Sequence, residues 1–456
     1  MTRPFSRRWR LALTSILTGC ALLVSSCSQD TSEATPLTDH LSRGTIGDYQ
    51  LLEGKPYNGS RIRFLTCCTT VPQFAALNQR TADFTNRTGI TVEWSNIPYA
   101  AFLQKIVAES AIGGGTYDVL IWPDAWGPSL KIGVQPLDGA LAQQGLNLDD
   151  FPKPFVEAAR TGTDQIYGMP VRGFSYNFFY RKDIYSQLGI QPPKTWGEFD
   201  DQMALIKQKT GLNPVAGQYG RKNGQNLNTW LTMLWSNGGE VFTPDGKAAF
   251  TSPQAIEATK AYISALTAGF SPPASTNWAE LEATTDFLKG KAASVFTWSW
   301  HQEEFDNPAK AAPDLGGNVG VAAMPAFPGK DSSSYAYTWL AGVLNTSAHQ
   351  GAAWEYVKWL SSARLEREIA LDKSSPKTST GITMHTSNML DPNVNAANSG
   401  LPMIQYDALR AARAVPMTMN WPKVMDILSV AINEIANGAD INHTLSEAAR
   451  KVDQLR

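Results

Sequence analysis

The chain has 456 residues, 43% hydrophobic and 18% charged, with a formal net charge of -2. That length and balance support two sizeable cores and exclude a disordered or repetitive chain, so two domains are the expectation. A mildly acidic chain with no basic run gives a nucleic-acid partner no footing.

Arg3, Arg7, Arg8 and Arg10 precede the apolar stretch Leu11 to Val24, too short for a comfortable transmembrane helix, so residues 1–26 read as an export signal of the ordinary secretory kind. They carry four arginines and no acid, and their removal would take the charge from -2 to -6. Val24-Ser25-Ser26-Cys27 has the form of a lipobox. Leu17-Thr18-Gly19-Cys20 fits that form better, but cutting there would leave Ala21-Leu22-Leu23-Val24 on the mature chain, so Cys27 is the expected lipidation site. Residues 27–58 read as the lipidated cysteine and a polar tether with one short ordered piece. The expected location is the cell envelope, on the extracytoplasmic or periplasmic side, with the membrane reached through the lipid alone.

Arg61 to Thr66 alternates as a strand. Val71 to Thr88 places Phe74, Leu77, Thr81 and Phe84 on one helical face and stops at Gly89. A second strand (Thr91 to Asn96), a second helix (Tyr99 to Ser110) and the apolar run Tyr117 to Trp122 follow. Strand and helix alternation implies a doubly wound sheet, whose ligands sit beyond the carboxyl ends of the strands. The loops Cys67 to Gln73, Trp122 to Ser129 and Met169 to Asn177 should therefore converge. After the aromatic run Phe174 to Tyr180, Asp183 is the expected N-cap of a helix ended by Gly189, and Thr195 to Glu198 opens another in capping-box style. Helices are expected at Asn226 to Asn237, Ser252 to Ala268, Glu280 to Leu288, Ala352 to Leu360 and Lys423 to Ala436. A strand is expected through Trp298 and another over Trp339 to Asn345. A last helix would be capped by Thr444 and Glu447, with Leu445, Ala448, Ala449, Val452 and Leu455 inward.

Tyr167-Gly168-Met169-Pro170, Phe179-Tyr180-Arg181-Lys182-Asp183, Leu188-Gly189-Ile190 and Pro192-Pro193-Lys194-Thr195-Trp196 occur in an order that resembles the family-1 extracellular solute-binding proteins of ABC importers, the group that includes the maltose-binding protein. Gly290-Lys291-Ala292-Ala293 leading to Trp298, and Met324-Pro325-Ala326-Phe327-Pro328-Gly329, extend the resemblance over about residues 60–456. It implies an α/β fold of two lobes, each a doubly wound sheet with flanking helices, hinged around a ligand. Residues 60–173 plus 338–375 would form lobe 1, and residues 174–330 plus 376–456 lobe 2. It also implies a monomer that passes a small carbohydrate to the transmembrane subunits of a permease.

A sugar offers an apolar C–H face and a rim of hydroxyls, so its pocket pairs flat rings with carboxylate, amide and guanidinium groups. Trp122, Trp126, Trp235, Trp298, Trp300, Trp339 and Trp421 are the ring candidates; for any one, a place in the core is the competing reading. By the resemblance, Asp124 in Pro123-Asp124-Ala125-Trp126-Gly127 accepts sugar hydroxyls, and Trp300 and Trp421 fall where the family stacks rings. Arg172, Tyr176 and Asn177 are candidates by their place beside the hinge. Where the family usually has Gly-Gly, this chain has Thr338-Trp339, which would shrink the pocket. Cys67-Cys68, at the end of the first strand of an exported chain, is read as a vicinal disulfide forming a stiff apolar plate, with two separate thiols as the alternative.

Catalytic and cofactor patterns fail. Gly173-Phe174-Ser175-Tyr176-Asn177 lacks the closing glycine of a nucleophile elbow, and His301-Gln302-Glu303-Glu304 lacks a second histidine for zinc. Gly290-Lys291 lacks the upstream glycine of a phosphate loop. Glu303 and Glu304, as neighbours, point apart and are expected to be solvated rather than an acid/base pair. No metal, cofactor or catalytic residue is expected. A binder of a phosphorylated polyol or polyamine, and a catalytic carbohydrate-active protein, are the alternatives.

Overall fold

The computed structural model describes residues 37–112, 115–307 and 309–455. The export signal, Cys20 and Cys27 lie outside them.

Eight strands are described: β1 (Arg61–Thr66), β2 (Thr91–Asn96), β3 (Val119–Pro123), β4 (Met169–Arg181), β5 (Ser294–Trp298), β6 (Val319–Ala322), β7 (Ser334–Val343) and β8 (Ala412–Arg413). Their order is β2-β1-β3-β7-β4-β5, with β6 paired to β4 and β8 to β7. β1 runs parallel to β2 and β3, as the strand-helix alternation requires, while β7 returns antiparallel to β3. Helix Pro72–Thr88 joins β1 to β2 and ends on Gly89 in the left-handed region at φ 73, a conformation glycine adopts without steric cost. Gly189 ends helix Lys182–Leu188 in the same way.

β4 joins the two halves of the sheet. Met169 to Ser175 pair with β7, and Tyr176 to Arg181 pair with β5 and β6. Met169 to Asn177, expected as a loop, is thus part of a single strand. Aromatic residues suit a pleated surface, and the proline that argued for a turn, Pro170, sits at a register shift between Pro170 and Arg172, where a bulge tolerates a missing ladder donor.

Three local expectations are corrected. Arg181, not Asp183, occupies the N-cap of helix Lys182–Leu188; Asp183 instead takes Nε and Nη2 of the buried Arg181 at 2.8 and 2.6 Å. Helix Ile441–Asp453 begins one turn earlier than expected, because Asp440 accepts from the His443 N–H at 2.8 Å; Thr444 is therefore internal, and Leu445, Ala448 and Val452 are buried. Residues 37–58, read as tether, lie against the body of the protein: Leu37, Tyr49, Leu51 and Leu52 are buried, and the Leu52 N–H reaches Glu355 at 2.8 Å. Helix Gln350–Leu360 is buried along its whole length, so its ion pair Lys358–Glu355 (2.6 Å) is enclosed.

Around the other half of the sheet, helix Asn226–Ser236 is enclosed by Pro253–Thr267 and Trp421–Ala436. Thr195 caps helix Trp196–Thr210 by accepting from the Glu198 N–H at 3.1 Å.

Candidate functional site

A cavity of about 350 Å³ opens where the ends of β1 and β3 meet β4, β5 and β7, at the carboxyl ends of the parallel strands as such sheets dictate. Its size is at the small end of ligand sites, roughly 300–1,000 Å³.

Side chains two apart along a strand share a face, and this rule builds much of the wall. Tyr335, Tyr337 and Trp339 on β7, with Arg172 and Phe174 on β4, line the cavity. Phe174 stacks on Tyr337 at 5.4 Å, and Trp298 meets Tyr335 edge-on at 5.0 Å. From the loop after β3, Trp126 stacks on Tyr99 at 5.5 Å. Gln225, Asn228, Glu280, Trp300, Trp421 and Met425 close the other side.

Of the expected site residues, Cys68, Trp126, Arg172, Trp298, Trp300, Trp339 and Trp421 line the cavity, whereas Cys67, Trp122, Asp124, Tyr176, Asn177 and Trp235 do not. Each of the six has a structural occupation. Trp122 is fully buried in space left by glycines: a Cβ at Gly168 or Gly342 would lie 2.9 or 2.7 Å from its ring. Asp124 is also fully buried and accepts from the N–H groups of Ala125 (2.7 Å) and Thr338 (3.2 Å), tying the β3 loop to β7. Burial pushes its carboxyl up to about 7, against the pull of those two bonds. The Tyr176 hydroxyl lies 3.0 Å from Thr229 Oγ1 and donates to Phe296 O at 2.9 Å. Asn177 Oδ1 accepts from Ser175 at 2.6 Å. Trp235 stands behind Tyr335, edge to face at 6.0 Å. Cys67 is fully buried and joined by a disulfide to Cys68, which alone of the pair faces the cavity.

Sequence reasoning missed Tyr99, Phe174, Tyr335, Tyr337, Gln225 and Glu280. The alternation Tyr335-x-Tyr337-x-Trp339 was a legible signal; Glu280 was not, because its role depends on distant partners. Its carboxylate lies 2.7 Å from His301 Nε2 and accepts from Gln225 Nε2 at 3.1 Å. Burial opposes charge on His301, but the hydrogen bonds to Glu280 and Glu304 outweigh it and raise the imidazole pKa. Glu303 and Glu304, expected to be solvated, are engaged: Glu303 accepts from the Gly381 N–H at 3.1 Å, and Glu304 lies 2.9 Å from His301 Nδ1 and 2.6 Å from Lys310. Among the described residues no three His, Cys, Asp or Glu side chains are placed to hold a metal, and no helix is long and apolar enough to cross a membrane.

Arg172 is the least compensated group in the wall. It is 6% exposed, and its guanidinium lies over the rings of Phe174, Phe74 and Trp300 at 4.7, 5.5 and 6.0 Å. Burial draws its pKa down to about 10, against the pull of Glu303, Tyr337 and Glu280. Its Nε has no hydrogen-bond partner among the described residues, and the same holds for the indole N–H groups of Trp339 and Trp421.

Residues 69–365 match the family described as bacterial extracellular solute-binding protein. The chain is 27% identical over 397 residues to the probable amino-acid ABC transporter periplasmic-binding protein y4oP of Sinorhizobium fredii, covering 83% of this chain and 87% of that one. It is 23% identical over 293 residues to the mannitol-binding protein of Pseudomonas aeruginosa, covering 62% and 64% of the two chains. In fold it is similar to the solute-binding protein of Agrobacterium radiobacter in complex with ribitol (TM-score 0.73, 23% identity, 88% of this chain and 100% of that one). It is also similar to maltose-bound MalE3 of T. maritima (TM-score 0.75, 21% identity, 87% and 100%). With most of its described length inside the match, the chain belongs to the bacterial extracellular solute-binding proteins, the substrate-binding components of ABC transporters.

Proposed function

We propose that this protein captures a small carbohydrate or glycosylated solute in the ring-lined cavity and delivers it, chemically unaltered, to the permease of an ABC importer. The observation that carries the reading is the cavity itself: aromatic faces from β4, β5, β7 and the β3 loop around a few polar groups, in about 350 Å³. Stacking contributes on the order of 1 kcal/mol per well-placed ring, so several rings with charge-assisted hydrogen bonds suffice for roughly -8 kcal/mol, a micromolar affinity. The sugar and polyol complexes among proteins of similar fold support the same ligand class. The small volume, with Trp339 in the wall, favours a mono- or disaccharide-sized guest.

The lobes in this reading are residues 60–173 with 338–375 and residues 174–330 with 376–456, crossed by β4 and β7. Ligand contact with both favours the closed form, which docks on the permease. Cys27 carries the lipid that holds the monomer at the outer face of the membrane, and the Cys67–Cys68 disulfide offers the cavity a rigid apolar edge at Cys68. A thermal-shift screen over mono- and disaccharides, polyols and glycosylated solutes tests the reading. Reversible stabilisation without product is expected, and turnover of the sugar would overturn it.

A further inference from the structure

The polar groups of the cavity are unevenly matched. Among the described residues that line it, the buried polar atoms left without a partner are Arg172 Nε and the indole nitrogens of Trp339 and Trp421. All three are donors. The carboxylates nearby are engaged: Glu280 by His301 and Gln225, and Glu303 by Gly381. The charges are unbalanced in the same sense. Glu280 is matched by His301 at 2.7 Å and Glu304 by Lys310 at 2.6 Å, whereas Arg172 has no carboxylate in ion-pair contact among the described residues.

Rings beneath a guanidinium relieve part of the burial of its charge, but they leave its planar fork of N–H groups unfilled. A neutral hydroxyl can fill one N–H, but it leaves the buried charge of the guanidinium unmatched. A carboxylate brings acceptors only, takes two N–H groups side by side, and neutralises the charge.

We propose that the guest carries a carboxylate seated on Arg172: a sugar acid, or a glycoside of a small hydroxy acid. This rests on the carbohydrate reading above and narrows it. A phosphate monoester is disfavoured because its near-dianionic charge calls for more than one cation, and Arg172 is the one cationic side chain among the described lining residues.

The test is calorimetric titration of the full mature chain with matched pairs that differ only in the acid: glucuronate with glucose, gluconate with glucitol, and glucosylglycerate with glucosylglycerol, plus glucose 6-phosphate. The acid of at least one pair should bind on the order of 100-fold tighter than its neutral partner, the ratio of a charge-assisted bidentate contact. Arg172→Gln should abolish that preference while leaving the unliganded melting temperature unchanged or higher, since an uncompensated buried charge is removed. Arg172→Lys, which keeps the charge and loses the fork, should retain part of the preference. Neutral partners that bind as tightly as the acids, or an acid preference that survives Arg172→Gln, would overturn the carboxylate and leave the carbohydrate reading intact. Tighter binding of glucose 6-phosphate than of any acid would also overturn it. Binding of none of the acids, while a neutral sugar from the thermal-shift screen binds, would overturn the carboxylate alone, and failure of every sugar in that screen would overturn both.

Discussion

Closure of the lobes around a guest should hinge on Gly162. This residue follows helix Lys153–Ala159, which is seated on β4 and β7, and it faces Met417, which leads into helix Trp421–Ala436 on the other side of the cavity. Gly162 has φ +80, and a Cβ built on it would overlap the Met417 carbonyl oxygen and lie 3.2 Å from the Met417 Cβ. Gly162→Ala therefore has two separable effects. The left-handed backbone costs an alanine roughly 1 kcal/mol whether the lobes are open or closed. The overlap exists only when Met417 is close, and relieving it requires opening of about 1 Å. A gap of that size forfeits a quarter to a half of each dispersion contact spanning it. If the rings on one side supply about half of a micromolar affinity, roughly 4 kcal/mol, the loss is about 1–2 kcal/mol, or roughly 5- to 30-fold in Kd. Calorimetry with the ligand found by the thermal-shift screen measures the affinity, and small-angle scattering measures the contraction on binding. Unchanged Kd together with unchanged contraction would refute the placement of a closure contact at Gly162.

Trp421 is 1% exposed in the cavity wall, so Trp421→Ala should lose about 3–5 kcal/mol in denaturant titration as well as ligand binding. Trp421→Phe should stay folded and bind more weakly; full affinity in the Phe variant would remove the indole from the site. Asp124, pushed by burial from its ordinary value near 3.8 up to about 7, holds a proton in the native state that the unfolded chain has released. Its burial therefore lowers stability as pH rises from about 4 to 7, by about 1.4 kcal/mol per unit. Between pH 5 and pH 8 the stability of Asp124→Asn relative to wild type should rise by roughly 2–3 kcal/mol, and a flat difference would show that the carboxyl titrates normally. Mass spectrometry should find Cys67 and Cys68 resistant to alkylation until a reductant is added; labelling of both beforehand would rule out the disulfide in the isolated protein. Cys27→Ser should abolish lipid labelling and release the protein from the membrane fraction, whereas persistent labelling would shift the anchor to Cys20.

The sequence by itself determined the first elements of the chain, since β1, β2 and helix Pro72–Thr88 follow from local periodicity and a glycine stop that need no distant partner. It also determined the kind of wall, because tryptophans near strand ends are abundant and several line the cavity. What only the tertiary structure decided is which rings those are. Trp122 and Trp126 are four residues apart, yet one fills the space beside Gly168 and Gly342 and the other lines the cavity. Asp124, between them, looks like a ligand group in the local sequence and becomes a brace because Thr338, more than two hundred residues away, presents an N–H to it. Arg172 shows the converse: its type and place were legible, but the lack of a carboxylate in ion-pair contact among the described residues is a property of everything packed around it. Burial and partnership are set by residues far apart in the chain, and no local pattern encodes them.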